Sequence, residues 1–138
     1  MQLAELSLLV EILIDTINIE ESEYIKNSDL HKLSSTQIHY LDLINHEDNP
    51  PLSRLAKKLK VTKPTVTNHI DKLEKLGYVR KVQSDSDKRV QYLYLTDSGK
   101  NIADIHDRFH EVFTEKLVSC LNESEQDAFI AILRKILK

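Results

Sequence analysis

Leu3, Leu6, Val10, Leu13 and Ile17 recur at intervals of three and four, a heptad-like stripe that predicts an amphipathic helix packed on a partner. A second periodic run, Leu52, Leu55, Ala56 and Leu59, is much shorter, and a third, Val66, Ile70, Leu73 and Leu76, follows after only Lys60-Val61-Thr62. Thr62 is a good N-cap, Pro64 falls in the first turn where a missing N–H costs nothing, and Gly77 ends the run. The periodicity then changes. YVRKVQ and VQYLYLT, rich in Val, Tyr and Leu, flank the polar loop SDSDKR and predict a β-hairpin. Between Thr96 and Leu121 a long helix carries Ile102, Ile105, Phe109, Val112 and Phe113. Asn122 with Glu125 three residues on makes a capping box, and Phe129, Ile132, Leu133, Ile136 and Leu137 mark a last helix.

This order predicts a mainly α chain with a small β-hairpin wing, an α+β winged helix-turn-helix flanked by dimerisation helices. Residues 1–32 form the N-terminal dimerisation helix and its connection, 33–96 the winged helix-turn-helix, and 97–138 the C-terminal dimerisation helices of one continuous domain. Two short helices joined by a tight turn are what readout of a major groove requires, and the second helix presents Thr65, Asn68 and Lys72 opposite its apolar stripe. The hairpin is then a wing, with Lys88 and Arg89 at its tip or descending edge, able to straddle a phosphate backbone or enter the minor groove. The terminal helices, too apolar on one side to stand alone, are expected to bury that side against each other and a second copy, giving a two-fold dimer.

Charge sharpens the reading. The formal net charge is −3, but from Ser53 to Gln91 eleven basic residues stand against four acidic ones, a local +7 that leaves −10 for the remainder. Double-stranded DNA would be drawn to the middle of the chain only. The competing class is a winged helix that docks on a protein and has no affinity for DNA. DNA contact is assigned to Thr62, Lys63, Thr65, Thr67, Asn68 and Lys72 on the second helix and to Lys88 and Arg89 on the wing.

Other chemistry finds little support. With Gly77 and Gly99 as its glycines the chain has no phosphate-cradling loop, and nothing marks a catalytic cleft, so no enzymatic activity is expected. A single cysteine, Cys120, fits a reducing compartment. The first residues show no basic leader, cleavage site or uninterrupted apolar run, so a cytoplasmic protein without membrane association is expected.

The sequence resembles the MarR family of bacterial transcriptional regulators. The likeness is carried by LSSTQIHYLDLI at 33–44, SRLAKKLKVTKPTVTNHIDKLEKLGYV, DKR at 87–89 and LYLTDSG at 93–99, and covers nearly the whole chain. It implies a triangular obligate homodimer that binds palindromic operators, usually as a repressor, with a ligand pocket between the dimer helices and the winged domain. Asn68, where relatives often have a basic residue, and Lys88, where arginine is usual, depart from the pattern, so base preference is not carried over.

Within the family, NIEESEY at 18–24, TQIHYLDLI and IHDRFHEVFTEKL at 105–117 resemble fatty-acid-synthesis regulators of the FabT type, which implies an acyl-chain or acyl-carrier effector. A partial likeness to zinc-responsive uptake repressors of the AdcR and ZitR type implies zinc ligation by Glu21, His39, His106 and His110, three imidazoles and a carboxylate. That branch's second site has no match here, since Asn27 and Ile38 stand at its cysteine and glutamate positions. Without metal, His39 reads as a buried polar group and His106 and His110 as hydrogen-bonding partners of Glu21 or Glu20. His31, His46 and His69 read as surface residues, and thiol-based redox sensing is not expected, because Cys120 lies far from the N-terminal position such sensors use.

Overall fold

A computed structural model describes residues 2–138. Among these, the helices are α1 Leu3–Ile25, α2 Ser35–Glu47, α3 Leu52–Leu59, α4 Lys63–Lys75, α5 Asp97–Val118 and α6 Glu123–Ile136, with a short 3-10 turn at Asp29–Lys32. Strands β1 Val79–Gln83 and β2 Gln91–Leu95 pair antiparallel, in a register that sets Val79 opposite Leu95 and Gln83 opposite Gln91. The chain divides into two compact units, residues 22–107 and residues 1–21 with 108–138.

The first unit holds the core. Ile38, Leu41 and Ile44 of α2, Leu52 and Leu55 of α3, Val66, Ile70 and Leu73 of α4, and Val79 and Leu93 of the hairpin are buried together, with Ile102 at the start of α5. Each such side chain contributes about 1.5–3 kcal/mol on leaving water. The ends of the helices are fixed by their caps. Ser34 and Gln37 form a reciprocal capping box on α2, while the Thr62 hydroxyl accepts from the Thr65 N–H to start α4. Between α3 and α4, Lys60 takes a left-handed conformation at φ 56°, and its N–H and that of Val61 close the turn onto Ala56 and Lys57 carbonyls. Gly77, at φ 82°, performs the same service after α4.

Thr96 ties three elements of this unit. Its N–H donates to the Tyr78 carbonyl, its hydroxyl donates to the Gly77 carbonyl, and the same oxygen accepts from the Gly99 N–H at 3.1 Å, capping α5. Gly99 passes so close that a Cβ there would lie 2.0 Å from the Tyr78 carbonyl oxygen. These contacts give a physical reason for the LTDSG stretch.

In the second unit, the turn between α5 and α6 is closed by the expected Asn122–Glu125 capping box and by Gln126, whose amide donates to the Leu121 carbonyl at 3.1 Å. Lys116 and Glu20 pair at 2.6 Å. The expected single apolar stripe on α1 proves broader: Leu3, Leu6 and Leu13 are exposed, and so are Leu8, Leu9, Ile12 and Ile14, because LSLLVEILI is apolar nearly all round. Neither α1 nor α6 contributes a buried residue among the described ones. No described helix is long and apolar enough to cross a membrane.

Candidate nucleic-acid interface

α4 buries Val66, Ile70 and Leu73 and so turns its other face outward. Lys63, Asn68 and Lys72 are exposed on it, with Thr65 and Thr67 half-buried and Thr62 exposed at its start. Their hydroxyls are already engaged. Thr62 and Thr65 bond each other at 2.9 Å, and the Thr67 hydroxyl donates to the Lys63 carbonyl at 3.0 Å, which leaves the Thr67 oxygen free to accept.

The loop of the hairpin is held by side chains. Asp87 accepts from the Arg89 N–H at 3.0 Å and from its guanidinium Nε at 3.3 Å, and its own N–H donates to the Ser84 hydroxyl. Gln83 donates to the Lys88 carbonyl at 2.6 Å, and the backbone bond from Ser84 to Val90 closes the loop at 2.8 Å. Asp87 is therefore a turn-former that aims Arg89, whose side chain stays 92% exposed. Lys63 and Thr67 of α4 line a groove together with Asp87, Arg89, Val90 and Gln91 of the hairpin and Pro51, Leu52 and Ser53 at the start of α3, so the helix and the wing are brought together.

Not all the basic charge of the middle segment is available to a polyanion. Lys58 and Arg54 pair with Glu47 of α2, and the Lys58 hydrogen bond, with both cations' charge, holds that carboxyl below its ordinary value against partial burial. Lys81 of β1 pairs with Asp71 and Glu74 of α4; the hydrogen bond that its ammonium donates to Asp71 raises its pKa above the usual lysine value. These pairs brace helix against helix and strand against helix, a role that charge counting did not distinguish.

The histidines separate into different environments. His39 is exposed on α2, so its reading as a buried polar group is corrected: its neighbours Ile38 and Tyr40 take the inward positions. His69 is not simply a surface residue either; it is half-buried, with its ring stacked on Tyr40 at 4.8 Å and 28°, linking α4 to α2. Burial raises the Tyr40 phenol pKa. His106, half-buried, and His110, exposed, lie one turn apart on α5. Glu21 and His110 belong to one compact unit, His39 and His106 to the other. As a donor set, three imidazoles and a carboxylate fit zinc. His46 is exposed, yet its Nε2 lies 3.1 Å from Asp42 and 3.3 Å from Asp107, a convergence not foreseen in the sequence. The i, i+4 spacing of Asp42 and His46 was the visible signal.

The MarR family model matches residues 33–90. The chain is 32% identical to the uncharacterized HTH-type transcriptional regulator YkoM of Bacillus subtilis, over 80% of this chain and 72% of that one. It is similar to Streptococcus pneumoniae FabT in the crystal structure of its complex with DNA, with a TM-score of 0.87 and 30% identity over 99% of this chain and 95% of that one. It is also similar to the heme sensor PefR of Streptococcus agalactiae in complex with heme, at 0.65 and 27% over 92% and 88%. An outward recognition helix beside a braced basic wing, with relatives that are transcriptional regulators rather than enzymes, is the arrangement of this group, and the chain belongs to the MarR family.

Proposed function

We propose that the chain is a homodimeric repressor that binds palindromic operators, placing α4 in the major groove and the β1–β2 loop on the flanking backbone, and that a small ligand controls this binding. The observation that carries the reading is the groove shared by Lys63 and Thr67 of α4 and Arg89 of the wing, where exposed cations adjoin small side chains able to approach base edges. Dimerisation is supported by α1 and α6, whose partly exposed Leu3, Leu6, Leu9, Ile132, Leu133 and Ile136 would each gain about 1 kcal/mol on burying the rest of their surface. The structural similarity to FabT in its complex with DNA supports duplex DNA as the partner.

For the effector, likeness to the FabT type supports an acyl chain or acyl carrier. The donor chemistry of Glu21, His39, His106 and His110 supports zinc as the second reading, with His106 and His110 on successive turns of α5. When bound, zinc would cross-link these side chains and bias one arrangement of the DNA-binding elements.

The test is fluorescence anisotropy of a labelled duplex from upstream of the protein's own gene, in excess chelator, in micromolar zinc and with a long-chain acyl ligand, alongside sedimentation of the free protein. Salt-dependent, tight binding by a dimer is expected. A protein with no affinity for any duplex would be a protein-docking winged helix instead. A tenfold change with zinc, a coupling of about 1.4 kcal/mol, assigns the metal as effector, and the same change with the acyl ligand assigns the lipid.

A further inference from the structure

Asp42 and His46 lie one turn apart on α2, and Asp107 reaches them from α5, within the same compact unit. One oxygen from each carboxylate and one nitrogen of the imidazole all lie within 4.8 Å of one another. His46 Nε2 lies 3.1 Å from Asp42 Oδ1 and 3.3 Å from Asp107 Oδ1. We propose that Asp42, His46 and Asp107 bind a single divalent transition cation, at a place distinct from the Glu21, His39, His106 and His110 set.

The two separations from His46 Nε2 match those of a coordination polyhedron. Ligand atoms held about 2.1 Å from a tetrahedral cation stand about 3.4 Å from one another, close to both distances from Nε2. Hydrogen bonding alone satisfies the cluster poorly, since one ring nitrogen carries at most one hydrogen and two carboxylate oxygens converge on it. A cation would serve all three atoms and neutralise two carboxylates. The nearby ammonium of Lys100 does not substitute for it, because that group pairs with Asp104 and donates to Asn45.

The donor set also defines the class of ion. One imidazole with two carboxylates suits zinc, cobalt, nickel or manganese, whereas magnesium and calcium prefer oxygen alone. The side chains of Asp42, Asp107 and His46 are 26%, 36% and 59% exposed, so water reaches the cluster and can complete the coordination sphere. On α5, Asp107 follows His106 directly, and successive helical residues point about 100° apart, so Asp107 does not share the direction of His106. Occupancy would pin the end of α2 to α5 across a sequence gap of 61 residues.

Cobalt(II) titration of the full-length protein, followed by visible absorption and then by displacement with zinc, tests the site without DNA, so its failure would leave the operator reading untouched. His46→Gln and Asp107→Asn should each remove one equivalent of cobalt or weaken it at least tenfold. The double variant His106→Gln/His110→Gln should retain that equivalent, and a large excess of magnesium should not displace it. His46 is exposed enough for its variant to fold, which circular dichroism verifies, and Asp42→Asn gives an independent second lesion. Undiminished binding in the His46, Asp42 and Asp107 variants would overturn the proposal. So would loss of all cobalt in the His106/His110 double variant, or no binding by the unaltered protein.

Discussion

Arg89→Ala removes a guanidinium that is almost wholly exposed and is held by Asp87 of its own loop, so its loss should leave the fold intact and act on DNA binding. If the side chain neutralises one phosphate per chain, the proposed dimer loses two such contacts. Each contact contributes about 0.9 to the slope of log affinity against log salt, so the slope should become shallower by about 1.8. Between about 0.05 and 0.2 M salt, a fourfold change, the advantage of the unaltered protein should therefore shrink by about twelvefold. Anisotropy at several salt concentrations, on an operator duplex and on an unrelated duplex, measures this directly. The effect should be the same on both, because phosphates carry no sequence information. Parallel lines for protein and variant would show that Arg89 contacts no phosphate, and a loss confined to the operator would make it a reader of bases. Asp87→Asn is the companion: it keeps an acceptor oxygen for the turn but removes a negative charge from the groove, so affinity should rise.

Thr67→Ala should reorder affinities among operator variants with little change in salt slope, since the side chain presents a methyl group and a lone pair rather than charge; an unchanged ranking would remove it from readout. Gly99→Ala should cost about 1–3 kcal/mol or more in urea unfolding, because the new Cβ would meet the Tyr78 carbonyl at 2.0 Å, and a wild-type midpoint would refute that close approach. The Lys81 pKa is raised, chiefly by its hydrogen bond to Asp71, so the stability it contributes is fully present below the ordinary lysine pKa and is lost as pH rises through the raised value. Tyr40, raised by burial, acts with the same sign. Alkaline unfolding of Lys81→Gln should accordingly depend less steeply on pH than that of the unaltered protein, and identical profiles would contradict the pairing.

Helix positions were legible because caps and periodicity are local. Thr62, Pro64 and Gly77 delimit α4, and Asn122 with Glu125 starts α6, through bonds that span at most a few residues. The wing was legible for the same reason, as the alternation in YVRKVQ and VQYLYLT and the turn-forming SDSDKR are written consecutively. What a side chain does once the elements meet was not. Lys58 and Lys81 look like DNA-binding charge in the sequence, but tertiary structure commits them to Glu47 and Asp71. His69 looks like a surface group until α2 brings Tyr40 against its ring.

The sequence by itself thus determined the terminal helices, the elements from α3 onward, the outward face of the recognition helix and the family, though not α2 Ser35–Glu47 as a helix, since hydrophobic period, capping and motif spacing depend on neighbours along the chain. Only the tertiary structure decided which charges are spent on bracing, why Thr96 and Gly99 hold hairpin to helix, and that Asp42, His46 and Asp107 converge, because those depend on contacts between residues far apart in the chain, 61 positions for His46 and Asp107. No pattern of spacing along a chain encodes the distance between two atoms that folding brings together.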